Sequence, residues 1–385
     1  MGRNKRIKYI GGYDIIRPDG MLREYSLAGA KKMDYLVSVL NSLGYGVDIL
    51  SPIHVKVSFG GFYPGIRMQL TKQNRLILPL SFGSKNILLK VFRALYENIW
   101  LFFYLIVHCS TNEKILVYHS YLYAWPIVLA HKIKNLEIIL EIEEKYAEIW
   151  NIGTYKSFKE NMMLSFVKKN TSIVVSESLS NLLGLKNTVV CYGSYNTANS
   201  LKPREKDNRV KLVFSGYVDK ARGSAFLSIE AMRYLPDCYD LVLSGTINKE
   251  DEDELYSLIE DVNNILGRQA CVHVGVLDDV KFSELLQKSD IALNPQKEGD
   301  YSKFLFPSKI LTYMSYGLPV VSTPGESIIQ SSVADLIVFS KGYSPKDIAD
   351  AIKNVKACEK TVYMNRLLEM NDIVKKQIED LFQIK

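Results

Sequence analysis

Three side chains that could hold a phosphate group lie together in one short stretch. Ser308, Lys309 and Thr312 share a face of a predicted helix, which Pro307 opens and Gly317 closes. Proline is favoured in the first turn of a helix, and glycine just past its end. A helix N-terminus offers unpaired N–H groups and a partial positive charge, to which a neighbouring lysine adds a full charge. The pattern indicates a binding site for a diphosphate, such as that of a nucleotide-activated ligand.

A second group of cations lies in the loop that opens the latter half of the chain. A strand is predicted over residues 210–215, and Gly216 and Gly223 bound the loop that follows it. Lys220 and Arg222 lie between these glycines. The guanidinium of an arginine can hold a phosphate through two parallel hydrogen bonds. A predicted helix then completes a strand–loop–helix unit, which is typical of Rossmann-like domains.

These same residues carry a resemblance to a known family. Residues 306–321 read FPSKILTYMSYGLPVV, which is similar to the donor-binding signature of GT-B glycosyltransferases, especially glycosyltransferase family four (glycosyl transferases group 1). The resemblance implies an α/β fold of two Rossmann-like domains facing across a cleft, with a C-terminal helix that crosses back to the N-domain. It implies transfer of a sugar from a nucleotide-diphosphate sugar to an acceptor hydroxyl, with retained configuration. Neither a metal nor a cofactor is implied, because protein cations stabilise the leaving diphosphate.

The chain departs from the family pattern at four positions. Phe304 and Thr312 replace the two usual glutamates, and Tyr217 replaces the arginine of the loop, whereas Arg222 stands where the family has lysine. Lys303 and the lysine of the predicted phosphate site could supply the missing charge. A degenerate, catalytically inactive homologue that acts as a binding or scaffold subunit is therefore the alternative hypothesis. The predicted donor-binding residues are Gly11, Gly12, Gly216, Lys220, Arg222, Gly223, Lys303, Ser308, Lys309 and Thr312.

Two of those glycines belong to the first strand–loop–helix unit of the chain. Gly11 and Gly12 follow a strand predicted over residues 7–10, and a helix is predicted over 24–43. In the resembled family this loop lets backbone approach the donor, but a plain strand-ending turn explains the glycines equally well. The G-x-G-x-x-G fingerprint is missing, so the sequence does not support a nicotinamide-dependent oxidoreductase.

Two residues of the first half are candidates for the chemistry itself. His119 stands at the carboxyl end of a strand predicted over 115–118, where ligands bind in doubly wound sheets. The resemblance matches it to a histidine that points at the donor sugar; the alternative is a packed histidine without chemistry. Glu143 follows a strand predicted over 138–142, at the point where relatives contact the acceptor. It could accept a proton from the acceptor hydroxyl, or belong to a solvated helix start.

The length of the chain, 385 residues, is enough for two domains with separate cores. We predict an N-terminal acceptor domain over residues 1–200, completed by a C-terminal helix over 362–385. The donor domain is predicted over 207–361. A polar stretch over 197–209 contains Pro203 and is the predicted linker.

One predicted helix, over residues 86–107, is unusually apolar. Lys85, Lys90 and Arg93 precede a run of nine large apolar residues, 99–107. A membrane-spanning helix needs about 20 such residues, so the segment is either an interfacial helix on an anionic membrane or a buried Rossmann helix. On family grounds the acceptor is a glycan or a lipid-linked glycan in bacterial surface-polysaccharide assembly. The expected location is the cytoplasm, or the inner face of the cell membrane.

Composition sets further bounds on function. The net charge of +6 suits anionic substrates or an anionic membrane, and without a nucleic-acid-binding motif it does not indicate nucleic acid. The five cysteines form no CxxC pair, which favours free thiols in a reducing compartment. No long apolar segment follows the basic N-terminus, so no signal peptide is predicted. Asp251 and Asp253 form a D-x-D pattern but open a predicted helix, and no metal site is predicted.

Overall fold

The structure, a computed structural model, describes residues 6–15, 22–149, 152–166, 172–198, 208–356 and 359–383. The chain divides into two compact units. The first comprises residues 1–175, 179–193 and 373–385, and the second comprises 176–178 and 194–372. Residues 16–21 and most of the predicted linker, residues 199–207, lie outside the described residues. The predicted domain boundary therefore stays a prediction.

The first unit is built on an eight-stranded sheet with the order β10-β9-β8-β7-β1-β2-β5-β4. Its strands pair in parallel, except that β4 runs antiparallel to β5. A separate antiparallel ribbon joins β3 and β6. The strands are β1 (Arg6–Ile10), β2 (Gly46–Leu50), β3 (Phe62–Tyr63), β4 (Ile66–Gln69), β5 (Asn74–Leu78), β6 (Ser81–Phe82), β7 (Lys114–Tyr118), β8 (Glu137–Ile142), β9 (Ser172–Val174) and β10 (Thr188–Val190).

Polar caps begin two of the long helices in this half of the chain. The Ser26 hydroxyl accepts from the Gly29 N–H at 3.2 Å, and the Asn86 side chain accepts from the Leu88 N–H at 2.9 Å. The helices are α1 (Leu27–Ser42), α2 (Ile87–His108), α3 (Ala124–Lys134), α4 (Tyr146–Ile149), α5 (Thr154–Leu164) and α6 (Glu177–Leu182). Short 3-10 turns lie at Val57–Phe59 and Tyr121–Tyr123.

The structure corrects one strand prediction and describes the surroundings of the apolar helix. The sequence over 55–57 predicts a short strand, but this prediction is wrong, because Val55 makes only an isolated bridge with Arg23 and Val57 begins a 3-10 turn. The apolar helix α2 is buried on one side only, and its predicted contact with a membrane stays a prediction. Its inner side, which includes Leu101 and Leu105, is buried, whereas much of its outer side is exposed.

The second unit is built on a six-stranded parallel sheet with the order β13-β12-β11-β14-β15-β16. Its strands are β11 (Val210–Ser215), β12 (Tyr239–Ser244), β13 (Cys271–His273), β14 (Ile291–Asn294), β15 (Val320–Ser322) and β16 (Ile337–Phe339). The helices are α7 (Ser224–Ala231), α8 (Glu252–Leu266), α9 (Asp279–Lys288), α10 (Asp300–Phe304), α11 (Lys309–Ser315), α12 (Glu326–Ile329), α13 (Pro345–Lys353) and α14 (Lys360–Phe382). 3-10 turns lie at Met232–Tyr234, Lys249–Asp251 and Ala334–Leu336.

The strand order of this second sheet fixes where a ligand would bind. The chain runs outward from β11 to β12 and β13, and then returns to place β14 on the other side of β11. Ligands of open α/β sheets bind outside the carboxyl ends of the strands at such a reversal. The loops that follow β11 and β14 both lie at this position, and each of them contains basic residues.

The last helix, α14, belongs to both units. Near its start the Arg366 guanidinium forms two hydrogen bonds with Asp335 in the second unit, at 2.8 and 2.9 Å. At its end the Tyr45 hydroxyl donates to the Phe382 carbonyl at 3.0 Å, and the Lys114 ammonium donates to the Leu381 carbonyl at 2.9 Å. The predicted return of the C-terminal helix to the N-terminal unit is therefore confirmed, although residues 384–385 lie outside the described part.

A close approach between two loops makes Gly245 a sensitive position. Its φ is +139°, and a Cβ atom placed there would lie 1.8 Å from the Gly216 carbonyl oxygen. We expect Gly245→Ala to lower the free energy of unfolding by about 3 kcal/mol or more, since backbone strain and a steric clash add together. Urea unfolding followed by circular dichroism measures the change.

Gly267→Ala is the matched control for this prediction. Gly267 has a φ of +65°, and a Cβ atom placed there meets nothing within 4 Å. Its substitution should cost only about 1–2 kcal/mol, which is the cost of the left-handed conformation alone. Equal losses in the two variants would contradict the argument from the close approach.

Candidate active site

Lys309 lies beside the loop that follows β11 in the second unit, near Arg222. It is the first residue of α11, and the Tyr313 hydroxyl fixes that helix by accepting from the Ser215 N–H at the end of β11, at 2.8 Å. The Lys309 ammonium lies 4.0 Å from the centroid of the Phe214 ring. The described residues give it no hydrogen-bond acceptor. Burial, and secondly the Arg222 charge, lower the pKa of Lys309 to about 7.

The glycine that follows β11 lies directly beside this ammonium. Gly216 has a φ of +142°, and a Cβ atom placed on it would lie 3.7 Å from the Lys309 Nζ. Its N–H donates to the Ser244 carbonyl at 2.9 Å, so the loop is held at the sheet edge. The bare backbone and the lysine therefore lie side by side at the carboxyl end of β11.

Arg222 is held in the same loop by a carboxylate and an aromatic ring. Asp219 accepts from the Arg222 N–H at 2.6 Å, and its second oxygen lies 3.5 Å from the Arg222 Nε. The guanidinium carbon lies 4.5 Å from the centroid of the Tyr301 ring and 5.8 Å from that of Tyr217. Tyr217, which replaces the family arginine, therefore contacts the cation that remains.

Lys297 is a residue of this site that the sequence did not reveal. Its methylene groups cross Gly223 so closely that a Cβ atom placed on Gly223 would lie 2.6 Å from the Lys297 Cε. The Lys297 N–H donates to the Arg222 carbonyl at 3.0 Å, and its ammonium donates to the Lys220 carbonyl at 3.0 Å. Lys297 therefore ties the loop after β14 to the loop after β11, and Gly223 is required for that contact.

The other predicted donor-binding residues occupy different positions. The Lys220 ammonium pairs with Glu254 at 2.7 Å, and both side chains are exposed. Lys303 is exposed on α10. Ser308 is exposed at the N-cap of α11, and its side chain caps no N–H of that helix; Thr312 lies one turn further along. The structure thus groups Gly216, Arg222, Gly223 and Lys309, and directs the Lys220 side chain to an acidic helix.

His119 in the first unit is buried and its ring is unpartnered. The side chain is 1% exposed, and neither ring nitrogen has a hydrogen-bond partner among the described residues. The backbone N–H donates to the Glu141 carbonyl at 2.8 Å, and the ring centroid lies 5.6 Å from that of Tyr146. Burial lowers the pKa of His119 to about 4, and the backbone of Glu144 partly opposes this shift. The imidazole is therefore neutral near pH 7.

Glu143 belongs to a buried ionic cluster. Its carboxylate pairs with the Lys32 ammonium, which also lies 4.0 Å from Glu141. Glu141 is fully buried and accepts a hydrogen bond from the Tyr9 hydroxyl, while its other oxygen, which faces Lys32, accepts no hydrogen bond from the described residues. Burial raises the pKa of Glu141, whereas the pairing raises the pKa of Lys32 against its burial. The lysine therefore stays charged and orients Glu143.

The first two predicted glycines support packing within the first unit. A Cβ atom placed on Gly11 would lie 2.8 Å from the Met33 sulfur and 3.1 Å from the Tyr118 Cβ. At Gly12 the nearest atoms, from Ile53 and Tyr25, would lie at an ordinary 3.5 Å. Gly11 is thus needed for the close packing of α1 on the sheet. Its predicted contact with the donor stays a prediction.

The D-x-D residues have a local structural role. The Asp251 carboxylate accepts from the Lys220 N–H at 3.0 Å and from the Asn248 amide at 2.9 Å. Asp253 lies in the first turn of α8, where acids favour the helix dipole. Within the described residues, no group of three or more histidine, cysteine or acidic side chains is arranged to hold a metal ion.

Comparison with known proteins shows what this chain resembles. Residues 209–357 match the family model described as glycosyl transferases group 1. An Escherichia coli structure described as trehalose-6-phosphate bound with UDP-2-fluoro glucose has a TM-score of 0.65 at 13% identity, covering 99% of this chain and 100% of that one. A sucrose-phosphate synthase from Thermosynechococcus elongatus has a TM-score of 0.64 at 13% identity, with 98% and 95% covered. No curated protein matches the sequence significantly.

A third similar structure is that of a lipopolysaccharide galactosyltransferase. The outer core galactosyltransferase WaaB has a TM-score of 0.59 at 12% identity, and 98% of each chain is covered. The fold is therefore GT-B, as the sequence predicted, and the chain resembles the glycosyl transferases of group 1. The match to that family's model lies within the second unit, and it supports a transferase.

Proposed function

We propose that this protein transfers a sugar from a nucleotide-diphosphate sugar to an acceptor hydroxyl. One observation carries the proposal: Lys309 presents an ammonium without an acceptor beside the bare backbone of Gly216, in the loop that also holds Arg222. An unpaired, partly buried cation is costly unless an anion binds it. The family model over 209–357 and the neighbour described with UDP-2-fluoro glucose support a nucleotide sugar as that anion.

In the proposed mechanism these cations stabilise the leaving group. Negative charge develops on the diphosphate as the bond to the sugar breaks, and Lys309 and Arg222 neutralise it at fixed positions. Arg222 donates through its guanidinium fork, and Lys297 holds the two loops in register. No metal ion takes part in this step, and the configuration of the sugar is retained. Gly12, Lys303, Ser308 and Thr312 are proposed as further donor contacts.

The proposed roles in the first unit concern the sugar and the acceptor. His119 is neutral and its ring nitrogens are unpartnered, so it can hydrogen-bond a sugar hydroxyl without adding charge. Glu143, oriented by Lys32, contacts the acceptor hydroxyl and accepts its proton. The acceptor is a glycan or a lipid-linked glycan of bacterial surface-polysaccharide assembly. The protein works in the cytoplasm and contacts the anionic inner face of the cell membrane.

A second candidate function rests on the replaced residues. Phe304 and Thr312 stand at the positions of the family glutamates, and Tyr217 stands at that of the family arginine. An inactive homologue that serves as a scaffold would tolerate such losses and would need no nucleotide sugar. The two functions therefore differ in whether a nucleotide sugar binds and is consumed.

A thermal-shift screen with UDP-, GDP- and dTDP-sugars tests the proposed function. We expect one nucleotide class, at saturating concentration, to stabilise the folded protein by roughly 2–4 kcal/mol. Free nucleotide should then accumulate when a glycan acceptor is added. Stabilisation without nucleotide release would favour a binding subunit. No stabilisation by any of the three classes would overturn the enzyme hypothesis.

A further inference from the structure

The outer side of α2 is an exposed apolar stripe. Leu88, Phe92, Leu95, Ile99 and Phe103 are each more than half exposed. Their spacings of four, three, four and four residues place them on one face of the helix. Such a stripe normally packs against a protein core, but in α2 it is the opposite side of the helix that packs against the core.

Two neighbouring helices extend this stripe into a broad surface. α3 packs beside α2, and α5 packs beside α3. On α3, Trp125, Leu129 and Ile133 are exposed. The Trp125 indole N–H donates to the Tyr155 hydroxyl of α5 at 3.2 Å, and the Trp125 and Phe158 ring centroids lie 6.3 Å apart. We call the exposed face of these three helices the α2–α3–α5 surface. Contiguous apolar surfaces of this kind mark interaction sites.

The charges of the α2–α3–α5 surface all have one sign. The only acidic residues in the three helices are Glu97 and Glu160, and both are buried. Lys132 and Lys156 are exposed. The Lys159 ammonium lies 5.0 Å from the centroid of the exposed Tyr155 ring, and burial lowers the pKa of Lys159. A surface that combines apolar side chains with basic charges suits a partner that is both apolar and anionic.

We infer that the α2–α3–α5 surface docks on an anionic membrane, with its apolar side chains at the acyl boundary and its lysines among the headgroups. This inference deepens the membrane contact of the proposed function by naming the surface that makes it. No helix in the described ranges is long and apolar enough to cross a bilayer. A second copy of the chain fits less well, because a two-fold contact would bring lysines against lysines.

Vesicle co-sedimentation of the full chain tests the apolar part of the surface. Vesicles of phosphatidylcholine with phosphatidylglycerol should bind the protein. Ile99→Glu should lower that affinity by about tenfold or more, because it removes an apolar side chain that the membrane would bury and adds a charge that the anionic headgroups repel. Ile265→Glu is the matched control. Ile265 is 59% exposed on α8 of the second unit, Ile99 is 54% exposed, and the control should bind as the wild type does.

The basic part of the surface has a separate test. Lys156→Gln and Lys159→Gln should each lower the affinity for the anionic vesicles by about fivefold, since a lysine near an anionic surface contributes about that much. Binding to vesicles of phosphatidylcholine alone should not change. A higher salt concentration should likewise weaken the binding of the wild-type protein to the anionic vesicles.

The outcomes separate this inference from the proposed function. Ile99→Glu should keep its thermal stabilisation by a nucleotide sugar, which reports on the second unit. Absence of that stabilisation in the wild type, with vesicle binding intact, would remove the proposed function and leave the membrane contact. Equal vesicle binding by wild type and Ile99→Glu, or no binding by the wild type, would overturn the inference. So would a dimer in sedimentation that Ile99→Glu converts to a monomer, because a second copy would then cover the surface.

Discussion

Replacing Lys309 with alanine is expected to lower kcat/KM for the nucleotide sugar by about 100- to 1,000-fold. Its ammonium is the cation nearest to Gly216 and has no acceptor among the described residues. A preorganised donor of this kind contributes most when charge develops on the leaving diphosphate, and losses of this size follow its removal. Nucleotide release under steady-state conditions measures the effect, and nucleotide-dependent thermal stabilisation should fall with it.

Lys281→Ala is the matched control for Lys309→Ala. Lys281 lies in the same unit, and its ammonium is 3.6 Å from the Asp278 carboxylate on the surface. Its removal should leave kcat/KM within about twofold of the wild type, as expected for an exposed ion pair. A similar loss in both variants would indicate a general effect of charge rather than a specific contact with the diphosphate.

The lowered pKa of Lys309 also predicts how donor affinity depends on pH. Burial and the Arg222 charge hold this pKa at about 7, and a bound diphosphate would raise it because the anion favours the ammonium. The donor therefore binds the protonated lysine. Affinity should be greatest below pH 7 and should weaken as the pH rises above 7. Titration calorimetry at pH 6.5 and 8.5 measures the change, and Lys309→Ala should lose that dependence.

His119→Asn is expected to lower kcat/KM by about 100-fold with little change in donor affinity. The imidazole is buried, and the His119 backbone is fixed at the end of β7 by its hydrogen bond to the Glu141 carbonyl; misplacing a group that positions a substrate costs about this much. His54→Asn is the control, because His54 pairs with Glu24 at 2.9 Å and its side chain is 31% exposed. An unchanged kcat/KM in His119→Asn would remove His119 from the catalytic site.

The His119→Asn variant should also differ from the wild type in how its free energy of unfolding depends on pH in acid. The folded state lowers the pKa of His119 to about 4 from the ordinary value of 6.5, so the unfolded chain binds the extra proton between these values. The stability that neutral His119 contributes is complete above pH 6.5 and is lost as the pH falls towards 4. Between pH 7 and 5 the wild type should lose about 2 kcal/mol more than His119→Asn. Parallel urea-unfolding curves for the two proteins would contradict this.

Much of the fold follows from local patterns in the sequence. The strand predicted over 210–215 coincides with β11, and the apolar spacing around Ile310 and Met314 placed α11 within one residue at each end. The sixth strand of the second sheet was not predicted, because Ile337–Phe339 has only three residues and shows no period. α10 was not predicted for the same reason, since it spans only five residues.

The site was less predictable, since its contacts join distant parts of the chain. The Lys32–Glu143 pair spans 111 positions, and the Lys297–Lys220 contact spans 77. No local pattern encodes such pairs. One signal was present: Lys32 interrupts the apolar stripe of α1 that contains Met33 and Leu36, and a charge inside a buried stripe indicates a buried partner. Lys309 and Arg222 were found because each lies in a short motif with glycines.

The divided course of α14 has a consequence for synthesis. The first unit needs residues 373–383 to complete its surface around Tyr45 and Lys114, and the ribosome makes those residues only after the whole second unit. A nascent chain therefore holds the first unit unfinished while the second unit folds. The exposed stripe of α2 emerges early in that interval. Binding of this stripe by a chaperone, or early contact with a membrane, would protect the chain until its last helix arrives.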